Sequence, residues 1–187
     1  MASYRLQPAK TGKYFALLCV VVALAIAAPV IVLSVVSQQP KATEPLVITT
    51  AETEWERPIE GVECQWDPEN MLVDAYVCSN VTVQVNWVNE PQDSDHSLRR
   101  AVRANTLAPL PREPIVHVGH AGVMVLPHYN MVAMNIRNQT PEHAGEEFQI
   151  LLQGAPDKLA PLAHQIWSSF RPEPLPVDLP EDMKVAA

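Results

Sequence analysis

Three histidines fall within one short stretch of this 187-residue chain: His117, His120 and His128. Met124, Met131 and Met134 lie close by in sequence. Imidazole and thioether together suit copper. The H-x-x-H spacing across a turn is weakly specific, however, and exposed turn histidines beside core methionines are the ordinary reading. A metal site would need the strands around residues 119–122 to bring His117 near Leu126 or His128. No metal or other cofactor is therefore expected. An extracytoplasmic metal- or ligand-binding protein using His117, His120 and His128 stands as the alternative.

Hydrolytic chemistry needs a nucleophile beside a base. Ser79, Ser94, Ser97, Ser168 and Ser169 have no such context, and no G-x-S-x-G turn is present. The carboxylate pairs Glu146-Glu147 and Glu181-Asp182 read as solvated loop charge. The expectation is a protein that is not an enzyme. Two cysteines follow the apolar run described below, Cys64 and Cys78, and they fall on neighbouring predicted strands. In an oxidising compartment they are expected to form a disulfide. Arg99, Arg100 and Arg103 form a basic cluster in an otherwise acidic region. They read as a solvated helix face or as a docking patch for an acidic partner or anionic lipid.

The element that organises these groups is residues 15–33, FALLCVVVALAIAAPVIVL, nineteen residues without a charge. That length nearly fills a bilayer's hydrocarbon core, which is roughly 30 Å thick. The run continues past the cleavage-like Ala25-Ile26-Ala27 and exceeds an ordinary signal-peptide core, so a retained anchor is expected. Of the 13 basic residues, Arg5, Lys10 and Lys13 precede the run, whereas all 21 acidic residues follow it. The positive-inside bias then places the N-terminus in the cytoplasm and the rest outside the plasma membrane. An acidic domain repels phosphates, which argues against nucleic-acid partners.

The expected organisation is a cytoplasmic tail (1–13), a transmembrane helix (14–37), an extended Pro/Thr/Glu-rich stalk (38–60), a folded domain (61–170) and a Pro-rich tail (171–187). Within the stalk, Leu46-Val47-Ile48 suggests a short edge strand, and Trp55 a docking side chain. Strands are expected at 62–67, 72–78, 81–88, 115–118, 123–126, 131–137 and 148–153. Residues 81–88, VTVQVNWV, alternate most clearly, with Val81, Val83, Val85 and Trp87 inward. A helix capped by Asp93 or Ser94 should run to about Leu107, with Leu98, Ala101, Val102 and Asn105 inward and the three arginines largely outward. A second helix is expected over 158–170. Pro161 in its first turn would put the start near Asp157 or Ala160. The last segment, with Pro172, Pro174, Pro176 and Pro180, should be extended and either loose or laid on a partner. Clustered strands with few helices give an α+β class: one antiparallel-sheet domain with two packed helices.

The ending, FQILLQ (148–153) followed by a helix closing in IWSSFR (166–171), resembles the PsbP-like fold. That resemblance implies a compact sheet with helices packed on it, in a family of mostly non-catalytic accessory proteins. The whole layout of single anchor, short stalk and small outer domain is similar to the small accessory subunits of actinobacterial respiratory supercomplexes, which join a cytochrome bc complex to an oxidase. It implies an integral membrane complex as partner, with haem and copper belonging to that partner.

Overall fold

The computed structural model describes residues 12–37, 42–68, 70 and 73–179. The expectations for Arg5, Lys10, Glu69, Leu72 and residues 180–187 lie outside that set. The chain forms two compact units, residues 1–41 and 42–187.

The first unit contains one helix, α1 (Gly12–Ser37). Its described side chains are those of residues 15–28, and every one is exposed. Phe15, Leu17, Val20, Leu24 and Ile26 point outward around its whole circumference. Fourteen residues at 1.5 Å each cover about 21 Å. Among the described residues no helix is long and apolar enough to cross a membrane. The span expected over 14–37 also draws on residues 29–37, whose side chains lie outside the described set.

The second unit is α+β. It contains β1 (Glu44–Ile48), β2 (Arg57–Trp66), β3 (Asp74–Cys78), β4 (Val81–Asn89), α2 (Ser94–Thr106), β5 (Val116–Val118), β6 (Ala121–Leu126), β7 (Met131–Arg137), β8 (Glu146–Gly154) and α3 (Pro156–Phe170). The strands form one sheet of order β1-β2-β3-β4-β8-β7-β6-β5, and every neighbour pair is antiparallel. Two four-strand meanders thus meet at β4 and β8, whose register runs from Val81↔Gly154 to Asn89↔Glu146. Tight turns set the outer registers. Ser79 and Asn80 both take positive φ between Cys78 and Val81, the type I′ requirement, and Asn tolerates it well. Gly119, at φ 58, opens the two-residue turn between β5 and β6.

Each face of the sheet buries its own set of side chains. Phe148, Ile150 and Leu152 of β8 join Val81, Val83 and Val85 of β4 beneath Ile166 and Trp167 of α3. On the other face, Leu98 and Val102 of α2 pack on Met124, Leu126, Met131, Ala133 and Leu151. Coverage on both sides explains why β7, MVAMNIR, is a nearly continuous apolar run rather than an alternating one.

Several expectations need correction. Most of the stalk is not a stalk. Residues 44–48 and 57–66 are β1 and β2, because Leu46, Ile48, Ile59 and Val62 recur on one face and reach the core while the acidic side chains between them stay wet. The edge strand at Leu46-Val47-Ile48 forms, and Trp55 docks by stacking on Phe148 at 4.0 Å between centroids. The Pro-rich segment after α3 folds back through residue 179. Leu175 is buried, Val177 and Leu179 pack on the core, and the Trp167 indole donates to the Glu173 carbonyl at 2.8 Å. A buried indole N–H needs an acceptor, and this segment supplies it. Helix α3 starts earlier than expected, at Pro156, so Pro161 falls in its second turn. The carbonyl Pro161 cannot reach by hydrogen bond is that of Asp157, an exposed residue where water can take its place.

The disulfide forms as expected between Cys64 and Cys78. Residues 65 and 66 pair with 77 and 76, and this register carries Cys64 opposite Cys78.

Candidate functional site

Helix α2 and the loop after it carry the candidate groups. The Asp93 carboxylate caps the helix, accepting from the His96 N–H at 2.9 Å. At the other end Leu107 takes a left-handed conformation (φ 54, ψ 23), and its N–H closes on the Arg103 carbonyl.

The face of α2 toward the sheet is only half apolar. Beyond Leu98 and Val102 it meets a polar row on β4, β7 and β8. The Gln149 amide donates to Ser97 Oγ at 2.8 Å, Arg137 donates to Ser94 Oγ at 2.8 Å, and Asn105 donates to the Gln84 side-chain carbonyl. Glu147 lies behind them with 1% of its side chain exposed, 3.3 Å from Gln149 Nε2 and 4.0 Å from Arg137. A buried carboxylate is tolerated only with such partners. These directional bonds fix the rotation of α2 about its axis more tightly than its two buried apolar residues would.

That rotation divides the three arginines. Arg100 and Arg103 are exposed as expected. Arg99 is not part of an outward patch. Its guanidinium turns under the loop, donating to the Pro111 carbonyl at 2.7 Å and lying 3.8 Å from Met124 Sδ. Arg100 and Arg103 border an open hollow of about 810 Å³ with Ala104, Leu107 and Leu110. A second hollow of about 680 Å³, which Arg112 and Tyr129 help line, lies on the other side of Leu110.

The histidines do not converge. The partner of His117 across the hairpin is Gly122, and that of Leu126 is Met131. His120 sits in the turn before β6 and His128 in a 3-10 turn after it, so the six residues of β6 separate them by about 20 Å. His117 pairs instead with Asp95 at 3.1 Å. Met124 and Met131 face α2, while Met134 faces α3. Among the described residues no group of three or more His, Cys, Asp or Glu is placed to hold a metal ion. Four of the five candidate serine hydroxyls are engaged. Ser168 and Ser169 donate to helix carbonyls three residues back, while Ser94 and Ser97 hold Arg137 and Gln149.

One constellation was not visible in the sequence. Glu146 accepts from the Thr53 hydroxyl, from the Trp87 indole at 2.9 Å and from His143 Nδ1 at 3.0 Å. Burial alone would raise its pKa. The bonds from Thr53, His143 and Trp87, together with the His143 charge, outweigh it and hold the carboxyl below its ordinary value. Glu146-Glu147 is thus not solvated loop charge: one carboxylate ties three segments together and the other is buried. Nothing in the local pattern distinguishes the pair, because the partners of Glu146 come from the β1–β2 loop, β4 and the loop before β8, and those of Glu147 from β7 and β8.

Beside this node lies a cleft of about 420 Å³ that Trp55, Arg57, Arg137, His143, Phe170 and Arg171 help line. The rings of Trp55 and Phe170 meet edge to face at 6.1 Å, and the Arg57 guanidinium lies 5.8 Å from the Phe170 centroid. Arg57 also donates to the Ser169 carbonyl. These cations are largely committed to structural partners. Among the described residues, the Arg100, Arg103 and Arg112 side chains at the α2 corner make no hydrogen bond or ion pair. No family model, curated protein or solved structure matches this chain.

Proposed function

We propose that the chain is a single-pass plasma-membrane protein with its N-terminus in the cytoplasm and its disulfide-stapled domain outside. In this reading the domain is a non-enzymatic accessory or assembly subunit that docks on an integral membrane complex. A respiratory supercomplex of the actinobacterial type is the partner that the overall layout suggests. The observation that carries the reading is the uncharged run of residues 15–33 within α1, apolar on every described side. A helix of that kind needs an apolar environment around its whole circumference. The charge asymmetry across the run supplies the direction, and the Cys64–Cys78 bond accords with an oxidising compartment. The engagement of Ser94, Ser97, Ser168, Ser169, His117, Glu146 and Glu147 in hydrogen bonds and ion pairs supports docking over catalysis.

Purification of the tagged full-length chain in a mild detergent that keeps respiratory complexes intact tests this directly. Co-migration with a large membrane complex is expected. Migration alone under those conditions rejects the accessory-subunit reading, and release from membranes by alkaline carbonate rejects the anchor.

A further inference from the structure

We infer that the corner made by the end of α2 and residues 107–112 is a contact surface for anionic phospholipid headgroups. The inference deepens the membrane-anchored reading above and rests on it. It starts from Leu107. The left-handed position that ends a helix favours glycine, because a Cβ there crowds the following carbonyl. Here it holds a leucine whose side chain is 91% exposed. Folding gains nothing from an apolar side chain in water on a disfavoured backbone, so the residue points to an apolar environment outside the domain. Leu110 and Tyr129, each a little over one third exposed, continue the apolar surface.

The charge around this tip is mainly positive, with Glu113 beside Arg112 in the second hollow as its one carboxylate among the residues lining the two hollows. Residues 96–112 contain four arginines and no carboxylate, in a chain with 21 acidic residues against 13 basic. Arg100, Arg103 and Leu107 share one helix face by their spacing. Among the described residues, no ion pair involves Arg100, Arg103 or Arg112. An acidic domain is repelled by an anionic bilayer except where such a patch faces it.

The loop backbone is suited to an interface poor in water. Pro109, Pro111 and Pro114 carry no N–H to desolvate, and the Pro111 carbonyl is already satisfied by Arg99. Arg99 therefore works as a pin beneath the loop, while Arg100, Arg103 and Arg112 face the headgroups. A protruding, fully solvated leucine on a corner suits insertion into a deformable lipid surface better than a fit to a rigid protein pocket.

The test uses the full chain in vesicles. An environment-sensitive fluorophore is attached at Ala104→Cys in a Cys19→Ser background, which leaves Cys64–Cys78 intact. In phosphatidylglycerol-containing vesicles a blue shift and quenching by brominated lipid are expected. Both should be absent in pure phosphatidylcholine and should fade at high salt. Arg100→Gln with Arg103→Gln should lower the ratio of docked to undocked domain about 25-fold, roughly fivefold per arginine. Leu107→Gly should weaken docking yet raise the Tm by about 3 °C, because it relieves the left-handed strain. A merely structural role for Leu107 would lower the Tm instead. An unshifted probe in anionic vesicles overturns the inference. So does a photoreactive residue at position 107 that crosslinks to protein and not to lipid in cell membranes. Flotation with phosphatidylcholine vesicles in high salt reports on α1 alone. Retention there without a probe shift in anionic vesicles rejects the corner and keeps the anchor. Loss there, with salt-sensitive binding to anionic vesicles, rejects the anchor and keeps the corner.

Discussion

Removing the Cys64–Cys78 bond should cost more than an average core substitution, and the loss should begin in one identifiable part of the sheet. Among the described residues β1 pairs with β2 alone, and β2 meets β3 at Gln65↔Val77 and Trp66↔Tyr76, extended by the Asp67 N–H donating to the Ala75 carbonyl at 2.9 Å. Beside packing on the core and α3, the Trp55–Phe148 stack and the Thr53–Glu146 bond, the disulfide is the covalent tie between this hairpin and the other six strands. The two cysteines are 14 residues apart. Opening a loop of that size returns about 10 cal/mol/K to the unfolded chain, or about 3 kcal/mol at 25 °C. Both sulfurs are buried, so Cys64→Ala with Cys78→Ala adds a cavity cost of about 1 kcal/mol. Against a typical stability of about 5–15 kcal/mol this is a large fraction. For a domain of this length the Tm should fall by about 10 °C. Thermal melts of the full-length protein in detergent, with and without reductant, measure the total. Hydrogen exchange measures the location, and amides of residues 44–66 should lose protection before those of β4 and β8. A Tm unchanged within about 2 °C, or uniform loss of protection across the sheet, would refute the argument that this bond closes a weakly paired edge.

Other predictions concern single groups. The Glu146 carboxyl is held below its ordinary value of 4.5, so it contributes stability above that pH and loses it as the pH falls through the lower folded value. Glu146→Gln should therefore lower the Tm at pH 7 and shrink the loss on acidification, as read from a series of melts against pH. Asp74 has the opposite sign. Burial first, and then the Glu52 charge, raise its pKa above 3.8 against a backbone hydrogen bond from Ala51, so stability falls as pH rises through the folded value. Asp74→Asn should consequently raise the Tm at neutral pH and have no effect well below pH 3.8. Gly154→Ala should destabilise by about 1–3 kcal/mol in denaturant titration, since a Cβ there would lie 2.7 Å from the Asn80 carbonyl oxygen and 2.9 Å from Val81 Cα, both backbone atoms. Copper or zinc titration followed by calorimetry should show no stoichiometric site. Tight uptake abolished by His117→Ala would restore the metal-binding alternative.

Much of the sheet was legible in the sequence because its signals are local. Residues 81–88 alternate in period two and residues 131–137 carry a strand's composition. Asp93 offers a cap just ahead of an amphipathic stretch, and all three elements form close to the expected bounds. The disulfide was legible for a similar reason, as two cysteines on adjacent predicted strands leave few alternatives. Legibility failed where composition and periodicity disagreed. In residues 44–66 the prolines, threonines and glutamates dominate, yet a sparse apolar set, with its alternation interrupted at Gly61, reaches the core. After α3 the prolines suggest an independent extended tail, yet Leu175 and the acceptor for Trp167 bring it back.

The sequence by itself determined the apolar run, the sign of charge on either side of it, the α+β class and the cysteine pair, because each depends on composition or on neighbours along the chain. Only the tertiary structure decided which polar groups are free. It buried Glu147, bound Glu146 to three segments, turned Arg99 beneath the loop and placed the three histidines apart, on β5, in the turn before β6 and in the 3-10 turn after it. Those outcomes depend on strand register and on the rotation of α2, which side chains far apart in sequence set together. The same packing left Arg100, Arg103 and Leu107 facing outward, a feature that the arginine spacing hinted at and that the left-handed turn at Leu107 completed.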